Sequence, residues 1–511
     1  MMKKGKLLCN KKGRGCEKNI CFFFVYVLQY RFFINWKDAL FKMEKKNTGA
    51  WTNQLGFVLA AAGSAVGVGN IWRFPYLVAK DGGGLFLLIY LLLVLTFGYA
   101  LLVSDLALGR GTQSNSIRAY KKANKKWNFL GKVTCIVPAL IMTYYAIIGG
   151  WILKYIVVYF TGNSTVASTD GYFTNFITSV YSPIIFALIF MCITAWVVYL
   201  GIDKGIEKVS KIVMPILLLM IIIIAVFALT LKHTDSNGIV RTGLQGFLIY
   251  ITPNFEGLTL GKFLQIVLDA MSQLFFSLSV AMGIMITYGS YVPKDVNMNK
   301  SVQQIELFDT VVAFLAGIMI IPTVFAFSGT DGMSAGPGLV FISLPKIFNE
   351  MGSIGIFIGI IFFIMFAFAA LTSCISVLET LVANVMEFFN LKRKNATLWL
   401  AVIYSIATVV VCLGYNVFYF ELKLPNGSTA QLLDLMDYIS NSFLMPLICM
   451  ISCIFIGWVL KPEWIIKEME SSGDKMTRKG LYAVMIKYIA PFVMFILFLQ
   501  SAGIFNLIFK Q

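Results

Sequence analysis

Apolar residues recur along this chain in runs of spanning length, separated by short polar stretches, from residue 53 almost to the end. Eleven runs are read, near 53–77, 84–108, 133–160, 182–200, 209–231, 263–291, 302–327, 353–386, 397–416, 432–460 and 482–508. Roughly 20 helical residues cross a hydrocarbon core, so the pattern predicts an all-α polytopic membrane protein and excludes a soluble enzyme. Two runs are interrupted where a spanning helix tolerates interruption poorly. In the first, between Gly63 and Pro75, glycines at 63, 67 and 69 accompany Asn70 and Arg73. In the sixth, the stretch from Phe276 to Gly283 sets small and hydroxyl residues at the centre of an apolar run, which ends at Tyr291 and Pro293. Each glycine costs a helix interior about 1 kcal/mol relative to alanine, and backbone groups freed in lipid survive only where they line a cavity. Broken helices are therefore expected, with half-helix ends and unwound carbonyls available to ions and an anionic substrate group. The competing reading, glycines for close helix packing, leaves Asn70 and Arg73 unexplained.

Composition narrows the chemistry. Of 511 residues 58% are hydrophobic and 13% charged. The nine cysteines lie mostly inside apolar runs and meet a single histidine, His233. Neither a zinc site nor a disulfide framework is indicated. The formal charge of +17 is partly carried by residues 1–42, which hold ten basic residues against Glu17 and Asp38. The rest is loop charge, and no nucleic-acid partner is called for. Residues 1–42 contain an aromatic run, 20–28, too short to span and without signal-peptide ends. They read as a basic N-terminal extension that need not belong to the native protein, with the membrane domain running from 43 to 511; a membrane-surface tail is the alternative.

Loop charge orients the spans. Arg110, Arg118, Lys121, Lys122, Lys125, Lys126 and Lys132 lie between the second and third runs, Lys392, Arg393 and Lys394 after the eighth, and Lys461, Lys467, Lys475, Arg478 and Lys479 after the tenth. By the positive-inside rule these loops are cytoplasmic. The N-terminus is then inside, and eleven spans put the C-terminus outside a multi-pass cell-membrane protein. The stretches from His233 to Gly261 and from Gly329 to Met351 are too long to be simple connectors and are expected to cap or gate something.

The Gly63–Pro75 stretch, followed by Asp81-Gly-Gly-Gly84, resembles the first-span signature of the neurotransmitter:sodium symporter family, in particular its bacterial transporters of tyrosine and other hydrophobic amino acids. The resemblance runs from Trp51 to the C-terminus. It implies two inverted repeats of five spans with broken first and sixth helices, an appended eleventh helix, and a re-entrant outer loop over Leu339–Asn349. It also implies two sodium sites. One would use the Ala65 carbonyl, Asn70, Ser277 and Asp309 with the substrate carboxylate. The other would use the carbonyls of Gly63, Val66 and Ala369 with the hydroxyls of Thr372 and Ser373. These are oxygen ligands, as a hard cation requires. Back-bonding within the helix remains the alternative for Thr372 and Ser373.

The implied substrate pocket comprises Ala65, Gly67, Val68 and Gly69, Ile141 and Tyr145, Phe276, Ser277, Ser279 and Met282, and Ser373 and Val377. The family's amine transporters carry aspartate where this chain has Gly67, so a zwitterionic amino acid that brings its own carboxylate is expected. The apolar set Ile141, Phe276, Met282 and Val377 favours a large hydrophobic or aromatic side chain, with the flexible Met282 able to repack around a ring or serving only as packing. Arg73 would pair with Asp437 as an outer gate. Trp51 and Glu387 match the inner gate, although position 48, where the family has arginine, is Thr48; Lys45 or Lys46 could substitute. Asp105, Lys154, Glu306 and Glu379 read as structural, with Glu379 six residues inward of Ser373.

Chloride-dependent relatives carry asparagine at the position of Asp309 and bind the anion nearby. Here Tyr90, Gln273 and Ser277 match three anion ligands while Ala313 removes another, and the Asp309 carboxylate supplies the charge itself. No chloride requirement is expected. The function read from all this is sodium-coupled symport of a hydrophobic amino acid by alternating access. Proton coupling, or an amino-acid receptor of the same fold that moves nothing, stands as the alternative. A monomer and a homodimer are both open.

Overall fold

The computed structural model describes residues 50–234, 238–329, 332, 336–425 and 427–504. The extension of residues 1–42, together with Lys45, Lys46 and Thr48, lies outside the described residues.

The first run forms two helices, α1 (Gln54–Ala65) and α2 (Val68–Lys80), bent by 53° at their junction. Asn53 starts α1 by accepting from the Gly56 amide at 2.8 Å. The break is two residues of extended backbone, Val66 and Gly67. Asn70 then caps the second half, its Oδ1 accepting from the Gly67 amide at 3.2 Å. This accounts for a donor that an N-terminus leaves orphaned.

The remaining spans follow as α3 (Gly84–Thr112), α4 (the short Ser116–Ala123), α5 (Ile136–Phe160), α6 (Ser182–Leu200) and α7 (Ile202–Thr230). After a hairpin of β1 (Lys232–Thr234) and β2 (Val240–Thr242), α8 (Gly243–Ile251) leads to the second interrupted helix, α9 (Leu260–Ser277) and α10 (Ile284–Ser290). Then come α11 (Met298–Ser328), α12 (Leu344–Glu350), α13 (Ser353–Phe389), α14 (Arg393–Leu413), α15 (Leu432–Leu460), α16 (Pro462–Met469) and α17 (Lys479–Ser501). Among the described residues nine helices are long and apolar enough to cross a membrane, ten with α1 and α2 taken as one span. The sixth run of the sequence corresponds to α9 and α10, with Lys262 and Asp269 in its first half.

The fold places the two breaks against each other. The α11 helix packs along both α1 and α2, α13 packs on α1 and α5, and α10 packs on α3. One tight turn of the bundle depends on glycine. Gly83 has φ +58, and a Cβ there would lie 2.5 Å from the Ile249 carbonyl oxygen, so the α2–α3 turn tucks beneath α8 only without a side chain.

Both long connecting stretches carry helix among their described residues. Gly243–Ile251 packs on α11. The Leu339–Ser343 π turn and α12 bury Leu339, Val340, Phe341, Leu344, Ile347 and Phe348, and the Phe341 carbonyl accepts from the Tyr155 hydroxyl at 2.6 Å. The fifth run starts earlier than its apolar pattern, at Ile202, because a π turn over Ile202–Glu207 carries Glu207 inward. Glu207, buried there, accepts from the Thr52 amide at 2.8 Å and from Lys211 Nζ at 2.6 Å, anchoring the start of α1. Its carboxylate occupies the space a Cβ on Gly56 would need.

Candidate functional site

The first polar cluster joins three helices at the breaks. Asn70 Nδ2 donates to Asp309 Oδ1 at 3.0 Å and lies 3.1 Å from the Ser277 hydroxyl, which itself donates to Asp309 Oδ1 at 2.8 Å. Asn70 comes from the first turn of α2, Ser277 from the last residue of α9, and Asp309 from the middle of α11. All three are buried, Asp309 completely. Its other oxygen, Oδ2, has no hydrogen-bond partner, and neither do the Tyr90 hydroxyl and Gln273 Oε1. Buried polar atoms are almost always paired. Unpartnered oxygens around a buried carboxylate suit an alkali cation. Among the described residues no cluster of histidine, cysteine and acidic groups could hold a transition metal.

The second cluster joins α13 to the end of α1. The Ser373 hydroxyl sits 3.4 Å from the Gly63 carbonyl oxygen, 3.3 Å from that of Ser64 and 3.4 Å from that of Val66, all at the end of α1. Thr372 Oγ1 donates back to Phe368 and Ala369 within α13, at 3.0 and 3.1 Å. The back-bonding alternative thus holds for its proton, while its lone pairs remain available. A Cβ on Gly63 would lie 3.2 Å from Thr372 Cβ, so the glycine lets α13 approach the break.

Between the clusters lies the unwound backbone. A Cβ on Gly67 would stand 2.9 Å from Ser373 Oγ and 3.2 Å from the Tyr145 hydroxyl, and one on Gly69 would stand 2.8 Å from the Phe276 ring. Gly67, Ser373 and Tyr145 are therefore brought together, as are Gly69 and Phe276. Ser279 is turned elsewhere: its hydroxyl donates to the Ser64 carbonyl at 2.9 Å, tying one break to the other. It and Ala281 have φ of +52° and +61°, and Ala281 is held by Asp105, which accepts from its amide at 3.0 Å. Strained backbone held by surrounding structure is a common feature of binding sites. Ala65, Val68, Ile141, Met282 and Val377 are all buried. Ile141 lies one turn before Tyr145 on α5, and Val377 one turn after Ser373 on α13.

The gates depart from expectation in part. Arg73 and Asp437 are not in ion-pair contact: Arg73 Nη2 donates to Ser272 at 2.7 Å, while Asp437 Oδ1 accepts from Tyr144 at 2.9 Å and from Asn441 at 2.6 Å. Each half of the pair is held by a neighbour instead. At the other end Trp51 is closed in, its Nε1 donating to the Tyr288 carbonyl at 3.0 Å and its ring set edge-on to Tyr288. Glu387 pairs with Arg118 of α4, Nε to Oε1 at 3.4 Å. The expected lysine partners lie outside the described residues, so the basic partner supplied by the structure is one the sequence reading had counted only as loop charge.

Glu379 belongs to this closure. It is fully buried and takes both guanidinium nitrogens of Arg393, at 2.5 and 2.9 Å, and the Tyr291 hydroxyl at 2.8 Å. The end of α10 is thereby fastened to α13 and α14. The remaining charges are structural as read: Glu306 pairs with Arg478, and Lys154 lies over the rings of Phe176 and Phe186. Glu379→Gln leaves a largely buried guanidinium without its anion, a loss of about 3 kcal/mol or more. Cysteine-labelling at Tyr288 or Ser376 is expected to become at least about tenfold faster from the Trp51 end in this variant; unchanged labelling would exclude a latch role.

Comparison with known proteins agrees with this geometry. The model of the sodium:neurotransmitter symporter family matches residues 48–178 and 176–508. A sodium-dependent transporter of Bacillus subtilis, YhdH, is 34% identical over 473 residues, covering 91% of this chain and all of the relative. One from Methanocaldococcus jannaschii is 31% identical over 427 residues, 80% of this chain and 82% of the relative. The crystal structure of MhsT in complex with L-phenylalanine aligns with a TM-score of 0.76 at 35% identity, over 89% of this chain and all of that one. With both helix breaks and a match from residue 48 to residue 508, the chain belongs to the sodium:neurotransmitter symporter family, of sodium-coupled transporters rather than enzymes.

Proposed function

We propose that this transporter carries a hydrophobic or aromatic amino acid into the cell together with two sodium ions. The observation that carries the reading is the Asn70–Ser277–Asp309 cluster beside a glycine-lined break. Asp309 would be taken up by the first sodium through its unpartnered Oδ2, and Gly67 offers no side-chain acid, so no further carboxylate stands at the break for the substrate amine. The substrate carboxylate would join the first sodium, with the amide of Gly69 and the Tyr145 hydroxyl as donors. The buried apolar residues Ile141, Met282 and Val377, with the half-buried Phe276, would take the side chain. MhsT, whose crystal structure holds L-phenylalanine, supports a ligand of this class.

Several finer points follow from the same reading. Residues Gly63, Val66, Ala369, Thr372 and Ser373 would hold the second sodium. The Trp51 end is cytoplasmic, which places the N-terminus inside and the C-terminus outside. Support comes from Arg118 of α4 and Arg393 at the start of α14, basic residues between spans that lie at that end with Glu387 and Glu379. Trp51 closed in and Arg73 apart from Asp437 correspond to a state shut on the inside and not yet locked on the outside. Chloride is unnecessary, and a proton on Asp309 replaces the cation on the return step, since an unpaired buried carboxylate is costly. Two sodium ions in and one proton out then move one net charge with a zwitterion, about 2.3 kcal/mol per 100 mV. Each tenfold sodium gradient adds roughly 1.4 kcal/mol per ion.

Because substrate and cation share one site, their binding must be coupled. In a thermal-shift screen, phenylalanine, tyrosine, tryptophan or leucine is expected to raise the melting temperature in sodium buffer and not in potassium. Equal stabilisation in both would exclude the shared site and favour a different coupling ion.

A further inference from the structure

Away from the helix breaks, two adjoining clefts of about 790 and 570 Å³ open at the end of the bundle that carries Trp51 and Glu387. They share Glu463 and Trp464 as a common wall. The larger is electrostatically settled on its acidic side: Glu468 is taken by Arg110 and Lys294, and Glu470 by Lys479. The smaller is lined by Gly457, Trp458, Leu460, Lys461, Glu463, Trp464 and Lys487, and has a different balance.

Two π turns face each other there, Phe455–Leu460 at the end of α15 and Met485–Ile489 within α17. A π turn frees a carbonyl from the regular ladder and often marks a functional position. Here the Lys487 carbonyl accepts from Trp458 Nε1 at 3.0 Å, so the two helices are joined through the bulge. Gly457 makes the approach possible, since a Cβ on it would lie 3.0 Å from both the Ile486 oxygen and Lys487 Cα.

That contact sets Lys487 level with the last turn of α15. Its Nζ stands 5.7 Å from the centre of the Trp458 ring, which is 54% exposed and meets the exposed Tyr488 edge-on at 5.6 Å. Exposed tryptophan and tyrosine at a span end are membrane-interface chemistry. Among the described residues neither Lys487 nor Lys461 is in an ion pair. Glu463, the one acid of the lining, sits in the first turn of α16, where the helix dipole already favours it. Beside the cleft α17 carries an exposed apolar stripe, Val484, Tyr488 and Phe492, spaced by one turn each, which the Tyr488 ring joins to the cleft-lining Trp458.

We propose that this cleft binds an anionic glycerophospholipid, its phosphate between Lys461 and Lys487 and its chains along the Tyr488–Phe492 stripe. Two unpaired cations at interface depth complement the phosphate. The apolar stripe favours a lipid over a free anion, which has nothing to lay along it.

Native mass spectrometry of the full chain in detergent, with dioleoyl phosphatidylglycerol or phosphatidylcholine added, tests this. The wild type is expected to bind the first phosphatidylglycerol about tenfold or more tightly than phosphatidylcholine. The Lys461→Gln/Lys487→Gln double variant should bind both alike, and Lys487→Arg should keep the preference. Inorganic phosphate at the same concentration should displace no lipid. Should the double variant not fold, Lys487→Gln alone is read in the same way. Equal binding of the two lipids by wild type, an undiminished preference in the glutamine variants, or displacement by phosphate would each overturn the proposal.

Discussion

Gly67→Asp is expected to reduce amino-acid uptake at least about a hundredfold, the largest effect of any single substitution in the pocket. The geometry gives two reasons. The new Cβ would already stand 2.9 Å from Ser373 Oγ and 3.2 Å from the Tyr145 hydroxyl, so the carboxylate can only displace these groups or project toward the substrate. In the reading above, the substrate's own carboxylate belongs near this position, and a second buried anion without a partner costs about 3 kcal/mol or more. Gly67→Ala separates the causes, because it adds bulk without charge and its nearest neighbours are side-chain tips that can shift. It is expected to keep uptake within about tenfold of wild type. Wild-type uptake by the aspartate variant would show that the substrate does not bind at this break.

The second large effect is expected at Asp309. Its Oδ1 accepts from Asn70 and Ser277 while Oδ2 is buried without a partner. Replacing it with asparagine removes the only carboxylate among the residues assigned to the first sodium and leaves any cation there short of negative charge. Uptake is expected either to fall by about a hundredfold or to become dependent on chloride, the missing charge then coming from an anion near Tyr90, Gln273 and Ser277. Wild-type uptake, in contrast, should be the same in chloride and gluconate and faster with an acidic interior. A chloride-indifferent Asp309→Asn protein with full activity would contradict this assignment, as would wild-type uptake that falls in gluconate.

Much of this site was legible in the sequence because membrane burial makes polar residues and glycines conspicuous. Gly63, Gly67 and Gly69 announced the first break, the serines from 277 to 279 the second, and Asn70, Ser277 and Asp309 meet as the family resemblance implied. Contacts between distant elements were less legible. Arg118 meets Glu387 from α4, 269 residues earlier in the chain, and nothing in local pattern selects it from the basic residues around it. Glu207 was overlooked because it looks like an ordinary helix-start acid with Lys211 one turn on; only the packing of α1 shows it buried beneath Thr52. Glu379 carried a signal that could have been used, since a carboxylate inside a span needs a partner and Arg393 opens the antiparallel helix that follows it. Arg73 and Asp437, expected to pair, stand apart, because Ser272 takes the guanidinium while Tyr144 and Asn441 take the carboxylate.

Concentrative uptake by the purified protein in proteoliposomes tests the central claim most directly. With an inward sodium gradient and an inside-negative potential, labelled phenylalanine, tyrosine, tryptophan or leucine is expected to accumulate well above its outside concentration. It should leak back when an ionophore dissipates sodium, and should not depend on an inward proton gradient. Accumulation that survives the loss of the sodium gradient, or saturable binding of these amino acids with no accumulation under any gradient, would contradict the account.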